Sequence, residues 1–147
     1  MEHDKKKSEE LLAELYRNCQ LALQSIADIL PETAEGKIRD EILTEHDEYE
    51  QFSGRIAILA KDKNFEVKEP NLMKKAMMWG SIKMSTLTDN SHQHITEMMI
   101  QGTVMGITAL KTTLGDMREG ADEEIVKLAQ ELLQAEEKFE QRLKALL

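Results

Sequence analysis

The chain has 147 residues and a formal net charge of −9, with 41% hydrophobic and 32% charged residues. This length and balance fit one globular domain over residues 1–147, and the negative charge disfavours nucleic acid as a partner because the phosphate backbone is also negative. No apolar stretch reaches the roughly 20 residues that span a bilayer, and a single cysteine excludes an internal disulfide. We therefore expect a cytoplasmic protein without a membrane partner.

The composition predicts an all-α fold, since only two prolines and seven glycines interrupt a chain rich in helix-forming residues. A first helix is expected to begin near Ser8, a good N-cap residue, and to stop at Pro31. The charged residues 1–7 before it are expected to form a flexible, solvated tail. Apolar residues at helical spacing, among them Leu15, Cys19 and Ile26, give this helix one buried face.

A second helix is predicted from about Thr33 to Lys63, with Asn64 as a left-handed cap. The short connection between the first two helices predicts an antiparallel hairpin. The apolar stripe of the second helix is interrupted by Glu45, which occupies a core slot, and by His46 beside it. These two polar residues are where a search for a chemical site begins.

The stretch after Asn64 is predicted to be a long crossover that holds one short helix, beginning at Pro70 and running to about Leu87. Residues 86–91 are poor interior helix formers and good cap formers, so we expect a break and a new start near Asn90 or Ser91.

The next predicted helix ends at Gly115 and contains thirteen consecutive uncharged residues, 98–110. A helix that is apolar nearly all round is either enclosed by its own domain or covered at a subunit interface. Gly102 and Gly106 stand four residues apart on this helix, a spacing that lets another backbone come close. We therefore predict close packing at these glycines and self-association of the chain, most simply as a homodimer.

The last predicted helix is capped by Asp122, and it places Glu136 at the edge of its apolar stripe between Leu132 and Phe139. It forms a second antiparallel hairpin with the helix before it. Two hairpins joined by a long connection predict a four-helix bundle with a short extra helix in the crossover.

This order of elements resembles the ferritin-like superfamily over nearly the whole chain. The resemblance implies an up-down four-helix bundle in which helix carboxylates bind two metal ions, iron or manganese. The motif of that site, Glu-x-x-His, is not found in this sequence. The residues that the resemblance offers as metal ligands are Glu14, Glu45, His46, Glu97 and Glu136.

Two functions follow from these patterns. The favoured one is a metal-free bundle that acts through self-association or protein contacts, because no nucleophile arrangement and no glycine-rich phosphate loop points to an enzyme. The alternative is a carboxylate-bridged metal protein with a binding or redox role. Within the first hairpin, His46 is expected to lie level with Asn18 and Cys19, and within the second, Glu136 beside Ile100 and Gln101. Aligning the middles of the two hairpins then places these polar residues and Glu45 in one buried layer, which we expect to be a hydrogen-bond network.

Overall fold

The computed structural model describes residues 2–67 and 89–147. Within these ranges the chain is all-helical and has no strand, which confirms the predicted all-α bundle. The predicted short helix between Pro70 and Leu87 lies outside the described residues. The elements, numbered in chain order, are α1 (Glu2–Ile29), a 3-10 turn (Leu30–Glu32), α2 (Lys37–Asp62), α3 (His92–Met117) and α4 (Glu123–Ala145).

Helix α1 begins at Glu2, six residues before the N-cap that the sequence predicted. Residues 2–7, predicted as a tail, are therefore helical. Ser8 is buried inside the helix, and its hydroxyl oxygen accepts a hydrogen bond of 2.8 Å from the backbone N–H of Asp122. The role of Ser8 is thus to connect α1 to the start of α4 rather than to cap α1.

Helix α2 begins at Lys37 instead of Thr33, because Gly36 has a φ of 149° and interrupts helical geometry there. The hydroxyl of Thr33 instead donates to the carbonyl oxygen of Ile29 over 2.7 Å. The predicted left-handed cap is confirmed: Asn64 has a φ of 57°.

Both predicted caps of the second hairpin are confirmed. The hydroxyl oxygen of Ser91 accepts a hydrogen bond from the N–H of His94 over 3.2 Å, and the carboxylate of Asp122 accepts one from the N–H of Glu124 over 2.9 Å. Helix α3 continues to Met117, two residues past Gly115, where the sequence predicted its end.

Each hairpin is antiparallel, as predicted. In the first, the guanidinium of Arg39 near the start of α2 donates to the carbonyl of Leu30, and Gln20 in the middle of α1 donates to Ser53 late in α2. In the second, Gly106 lies against Glu136 near the middle of both helices. The first turns of α3 and the last turns of α4 line one groove.

The two hairpins are docked so that α1 and α4 run in one direction and α2 and α3 in the other. Ser8 contacts Asp122 and Asn18 contacts Glu136, so α1 and α4 are parallel. The starts of α2 and α3 meet where the ring of His92 lies beside Gly36. The end of α2 and the start of α3 therefore lie at opposite ends of the bundle.

The core lies between the four helices and contains the apolar faces predicted for them, with Leu15, Cys19, Ile42, Ile56 and Phe139 fully buried. Among the helices that the structure describes, none combines the length and the apolar character needed to cross a membrane.

Candidate functional site

A buried hydrogen-bond cluster joins all four helices at the middle of the bundle. Glu136 of α4 is only 1% exposed, and its Oε2 accepts a hydrogen bond of 2.7 Å from the hydroxyl of Tyr49 on α2. Its Oε1 accepts one of 3.2 Å from Nδ2 of Asn18 on α1. The same Nδ2 donates to the backbone oxygen of Gly106 on α3 over 3.1 Å. We call Asn18, Tyr49, Gly106 and Glu136 the Glu136 cluster.

Glycine at position 106 is required by the close approach of α3 to this cluster. A Cβ at Gly106 would lie 2.9 Å from Oε2 of Glu136 and 3.4 Å from Nδ2 of Asn18, the first of which is shorter than contacts that real Cβ atoms make. Close packing at Gly106 is thereby confirmed. At Gly102, in contrast, no atom of the described residues lies within 4 Å of the Cβ position, so within this part of the chain the predicted close packing is not seen at Gly102.

The carboxyl of Glu136 titrates near neutral pH. Burial raises the pKa of Glu136 from 4.5 to about 7, and the negative charge of Glu14 adds to the rise. The hydrogen bonds from Tyr49 and Asn18 oppose the rise because they stabilise the ionised form. Burial, and then the charge of Glu136, also raise the pKa of the Tyr49 hydroxyl and of the Cys19 thiol. Both groups are therefore neutral at physiological pH.

A second buried carboxyl, Glu45, lies one helical turn before Tyr49 on α2 and is also 1% exposed. No donor among the described residues reaches either of its oxygens. Burial is the main cause, and a hydrogen bond shared with the carboxyl of Glu41 the second, that together raise the pKa of Glu45 from 4.5 to about 9. Glu45 is consequently protonated at neutral pH, and its own proton makes the bond to Glu41.

Arg142 of α4 binds the carboxylates of Glu41 and Glu48 and, through Phe139, connects them to the Glu136 cluster. Its Nε donates to both oxygens of Glu41 over 3.0 Å, and its terminal nitrogen donates to Glu48 over 3.2 Å. The guanidinium also stacks on the ring of Phe139 at 5.2 Å, and that ring contacts Tyr49 with centroids 5.3 Å apart. One continuous set of polar and aromatic contacts therefore runs between α2 and α4.

The five metal ligands that the resemblance offered do not converge. His46 points outward, with a side chain 37% exposed beside Asp47 and Glu50. Glu97 is exposed and accepts a hydrogen bond from Gln93 over 3.3 Å.

Of the remaining three residues, Glu14 forms an ion pair with Arg17, while Glu45 and Glu136 are engaged in the separate contacts described above. Within residues 2–67 and 89–147, no group of three or more His, Cys, Asp or Glu side chains is placed to hold a metal ion. The described residues thus do not fit a carboxylate-bridged pair of metals.

The predicted polar layer has a different membership in the structure. His46 and Gln101 are on the surface, and Glu136 faces Gly106 instead of Ile100 and Gln101. The register differs because α3 continues past Gly115, which moves the centre of the turn, and each residue of movement shifts the facing positions by two.

Asn18 was predicted in the polar layer, level with His46, and in the structure it donates to Glu136. Tyr49 was missed as a partner of the core carboxyl. Tyr49 falls at an apolar position of the α2 stripe, and a buried tyrosine hydroxyl requires a polar partner. That requirement, together with the carboxylate of Glu136 in the apolar stripe of α4, is the sequence signal that indicates a Tyr49–Glu136 hydrogen bond.

The chain was also compared with known proteins. No protein-family model matches it, and neither the curated proteins nor the solved structures contain a match. Any function is therefore to be inferred from the geometry of the chain itself.

Proposed function

We propose that this protein acts through self-association, with the outer side of α3 as the contact surface. The observation that supports this is the exposure of Met105, 68%, at the centre of thirteen uncharged residues in a chain of which 32% is charged. Val104 beside it is 39% exposed, and a contiguous exposed apolar patch of this kind is typical of an interface. We call the exposed residues of this stretch the α3 face: Gln101, Gly102, Val104, Met105, Thr108 and Ala109.

A second copy of this chain is the occupant that the charges favour. Each copy has a formal charge of −9, so two copies repel each other over most of their surfaces. The α3 face offers a place where two copies meet without burying like charges. Small residues on both sides of Met105 make the face suited to pair with itself about a twofold axis, as in most homodimers.

A groove next to the α3 face adds apolar area to the surface. It has a volume of about 410 Å³ and lies between the first turns of α3 and the last turns of α4. Ile100, Gln101 and Leu147 line it, together with the charged ends of Glu97 and Lys144. The apolar centre and charged rim match the usual anatomy of protein interfaces.

Light scattering on the purified full chain tests the proposal. At micromolar concentration we expect a mass of twice 16.8 kDa for the wild type, and 16.8 kDa for Met105→Lys, which places a charge at the centre of the contact. Ile58→Lys is the matched control, because Ile58 on α2 is similarly exposed, at 63%, and lies outside the α3 face. A wild-type mass of 16.8 kDa contradicts the proposal.

Cross-linking identifies the surface independently of mass. In a Cys19→Ala background, Met105→Cys is expected to form a disulfide-linked dimer on mild oxidation, since the two copies of this position meet near the twofold axis. Ile58→Cys is expected to remain unlinked. If Met105→Cys is not linked, the α3 face is not the contact between two copies and the proposal fails.

The ferritin-like alternative has support from topology alone. The directions of the four helices and the long connection between α2 and α3 agree with that architecture. The described carboxylates do not converge on a metal, so iron or manganese binding is the weaker proposal. Elemental analysis of the purified protein, with Glu45→Ala as the comparison, decides it: stoichiometric metal lost in the variant would favour the alternative. Cytoplasmic location also stays a prediction, which cell fractionation tests.

A further inference from the structure

Helix α3 contacts the Glu136 cluster at the centre of the bundle through Gly106. At the level of Glu136, α3 contributes no titratable side chain, only the backbone oxygen of Gly106 and the space left by its missing side chain. The missing side chain lets the backbone of α3 lie directly against Oε2 of Glu136. Asn18 joins the two by donating both to the carboxyl and to the backbone oxygen of Gly106. The Glu136 carboxyl thus contacts α3 directly, and we expect the packing of the whole helix to depend on whether this carboxyl is protonated.

The groups around Glu136 provide hydrogen bonds but no positive charge. From α1 it is faced by Glu14, whose carboxylate is paired with Arg17, and by the buried thiol of Cys19. From α2 it is faced by Tyr49, which is neutral. None of the described contacts gives Glu136 a cationic partner, so its ionised form is a buried charge held only by two neutral donors.

Glu45 is the nearest other carboxyl on α2, and it reaches the cluster only by its effect on Tyr49. It is protonated at neutral pH, and the groups that act on it are Glu41 and Glu48 of α2 and Arg142 of α4. We therefore expect titration of Glu45 to affect the contact between α2 and α4.

We propose that the Glu136 cluster is a proton-dependent latch, in which loss of the Glu136 proton loosens α3 from the other three helices. In the protonated state the carboxyl is neutral, and its O–H donates to the oxygen of Tyr49 while Asn18 still bridges to Gly106. In the ionised state the charge lies against α3 and is repelled by Glu14. Movement of α3 away from the cluster admits water, which stabilises the carboxylate.

The pH range of the latch follows from the two states. In the open state the carboxyl has its ordinary pKa of 4.5, and in the closed state its pKa is about 7. Opening releases a proton between these values, so the opening equilibrium constant rises about tenfold per pH unit from pH 4.5 to 7. Above pH 7 both states are ionised and the constant levels off.

Hydrogen exchange of the full chain, read by mass spectrometry and corrected for the intrinsic rate at each pH, measures this opening. We expect protection of the α3 amides 103–110 to fall by about tenfold per pH unit between pH 5 and 7 and then to level off. Running the same series in Met105→Lys separates the latch from protection by a partner copy, so the latch stands or falls independently of self-association.

Glu136→Gln is the decisive variant, because its amide cannot ionise and we expect α3 protection that does not change between pH 5 and 8. Glu45→Gln is its matched control, since it neutralises a core carboxyl that does not touch α3, and there the change with pH is expected to persist. If Glu136→Gln does not fold, Tyr49→Phe is measured instead: loss of this donor is expected to move the midpoint of the change to higher pH. A wild type without the change, or a change that survives in Glu136→Gln, overturns the proposal.

Discussion

The hydroxyl of Tyr49 and Oε2 of Glu136 lie 2.7 Å apart inside the bundle, where both side chains are shielded from water. This hydrogen bond joins α2 to α4 across the core. Since Tyr49 stays neutral and Glu136 titrates near pH 7, the strength of the bond depends on pH, because a hydrogen bond to an ionised acceptor is stronger than one to a neutral acceptor.

Removing the donor should therefore destabilise the fold in a pH-dependent way. We expect Tyr49→Phe to lower the free energy of unfolding by about 1–3 kcal/mol at pH 8, since the ionised acceptor then retains only one partner. At pH 5, where the carboxyl is protonated, the loss should be smaller. Urea unfolding at both values measures it, and a double-mutant cycle with Glu136→Gln isolates the pair. Equal losses at the two pH values would contradict this account.

Global stability should fall as pH rises through the neutral range. Burial, more than any other cause, raises the folded-state pKa of Glu136 to about 7 and that of Glu45 to about 9, both from 4.5. Their stabilising effect is complete below pH 4.5 and is lost as the pH rises toward those folded values. Each group contributes a slope of about −1.4 kcal/mol per pH unit within its window.

The two windows can be separated by variants. Glu45→Gln should remove the slope between pH 7 and 9 and leave part of the slope between 4.5 and 7, to which both carboxyls contribute. The double variant Glu45→Gln/Glu136→Gln should be nearly flat over both ranges. Chemical denaturation from pH 5 to 9 is the measurement, and a wild type that becomes more stable from pH 5 to 8 would show that these carboxyls are not protonated in the fold.

The two glycines of α3 should respond oppositely to alanine. Gly106→Ala forces a shift because its Cβ would lie 2.9 Å from Glu136, and we expect a loss of about 1–3 kcal/mol in the free energy of unfolding. Gly102→Ala meets no atom of the described residues and gains helix propensity, so it should stabilise the chain by up to about 1 kcal/mol. Thermal unfolding of the two variants tests whether Gly106→Ala lowers the stability and Gly102→Ala raises it.

The two core carboxyls should also differ when each is replaced by leucine. Glu136→Leu leaves the Tyr49 hydroxyl and the Asn18 amide without their acceptor and should cost about 1–3 kcal/mol at pH 6. Glu45→Leu removes a buried carboxyl that receives no donor, while Glu41 keeps its bonds to Arg142. We expect this variant to match or exceed the wild type in urea unfolding. A larger loss for Glu45→Leu than for Glu136→Leu would reverse our view of the core.

Most of the architecture could be predicted from local signals. Caps at Ser91, Asn64 and Asp122 depend on side-chain chemistry and backbone preference within a few residues, so they can be predicted from the local sequence. The start of α1 could not be predicted in this way, because the hydroxyl of Ser8 serves a contact with Asp122 that no local pattern reveals.

The candidate site was predicted only in part. The positions of Glu45 and Glu136 in apolar stripes marked them correctly as buried. Their partners depend on register between helices, which changes with the length of a turn. His46 was predicted in the same buried layer, but its side chain points outward beside Asp47 and Glu50. A rotation of about 100° per residue separates adjacent positions on a helix, so a core glutamate and a surface histidine stand side by side in the sequence.

The contact between Ser8 and Asp122 bears on how the chain folds. The two residues are 114 positions apart, yet the turn between α3 and α4 is anchored by this bond and by the ion pair of Asp122 with Lys63. Contacts of such long sequence separation require loop closure before they add stability, and they slow folding. We therefore expect each hairpin to form early from its own local contacts and this corner of the bundle to form last, after the rate-limiting step. In a kinetic experiment, Ser8→Ala should mainly accelerate unfolding and leave the folding rate nearly unchanged.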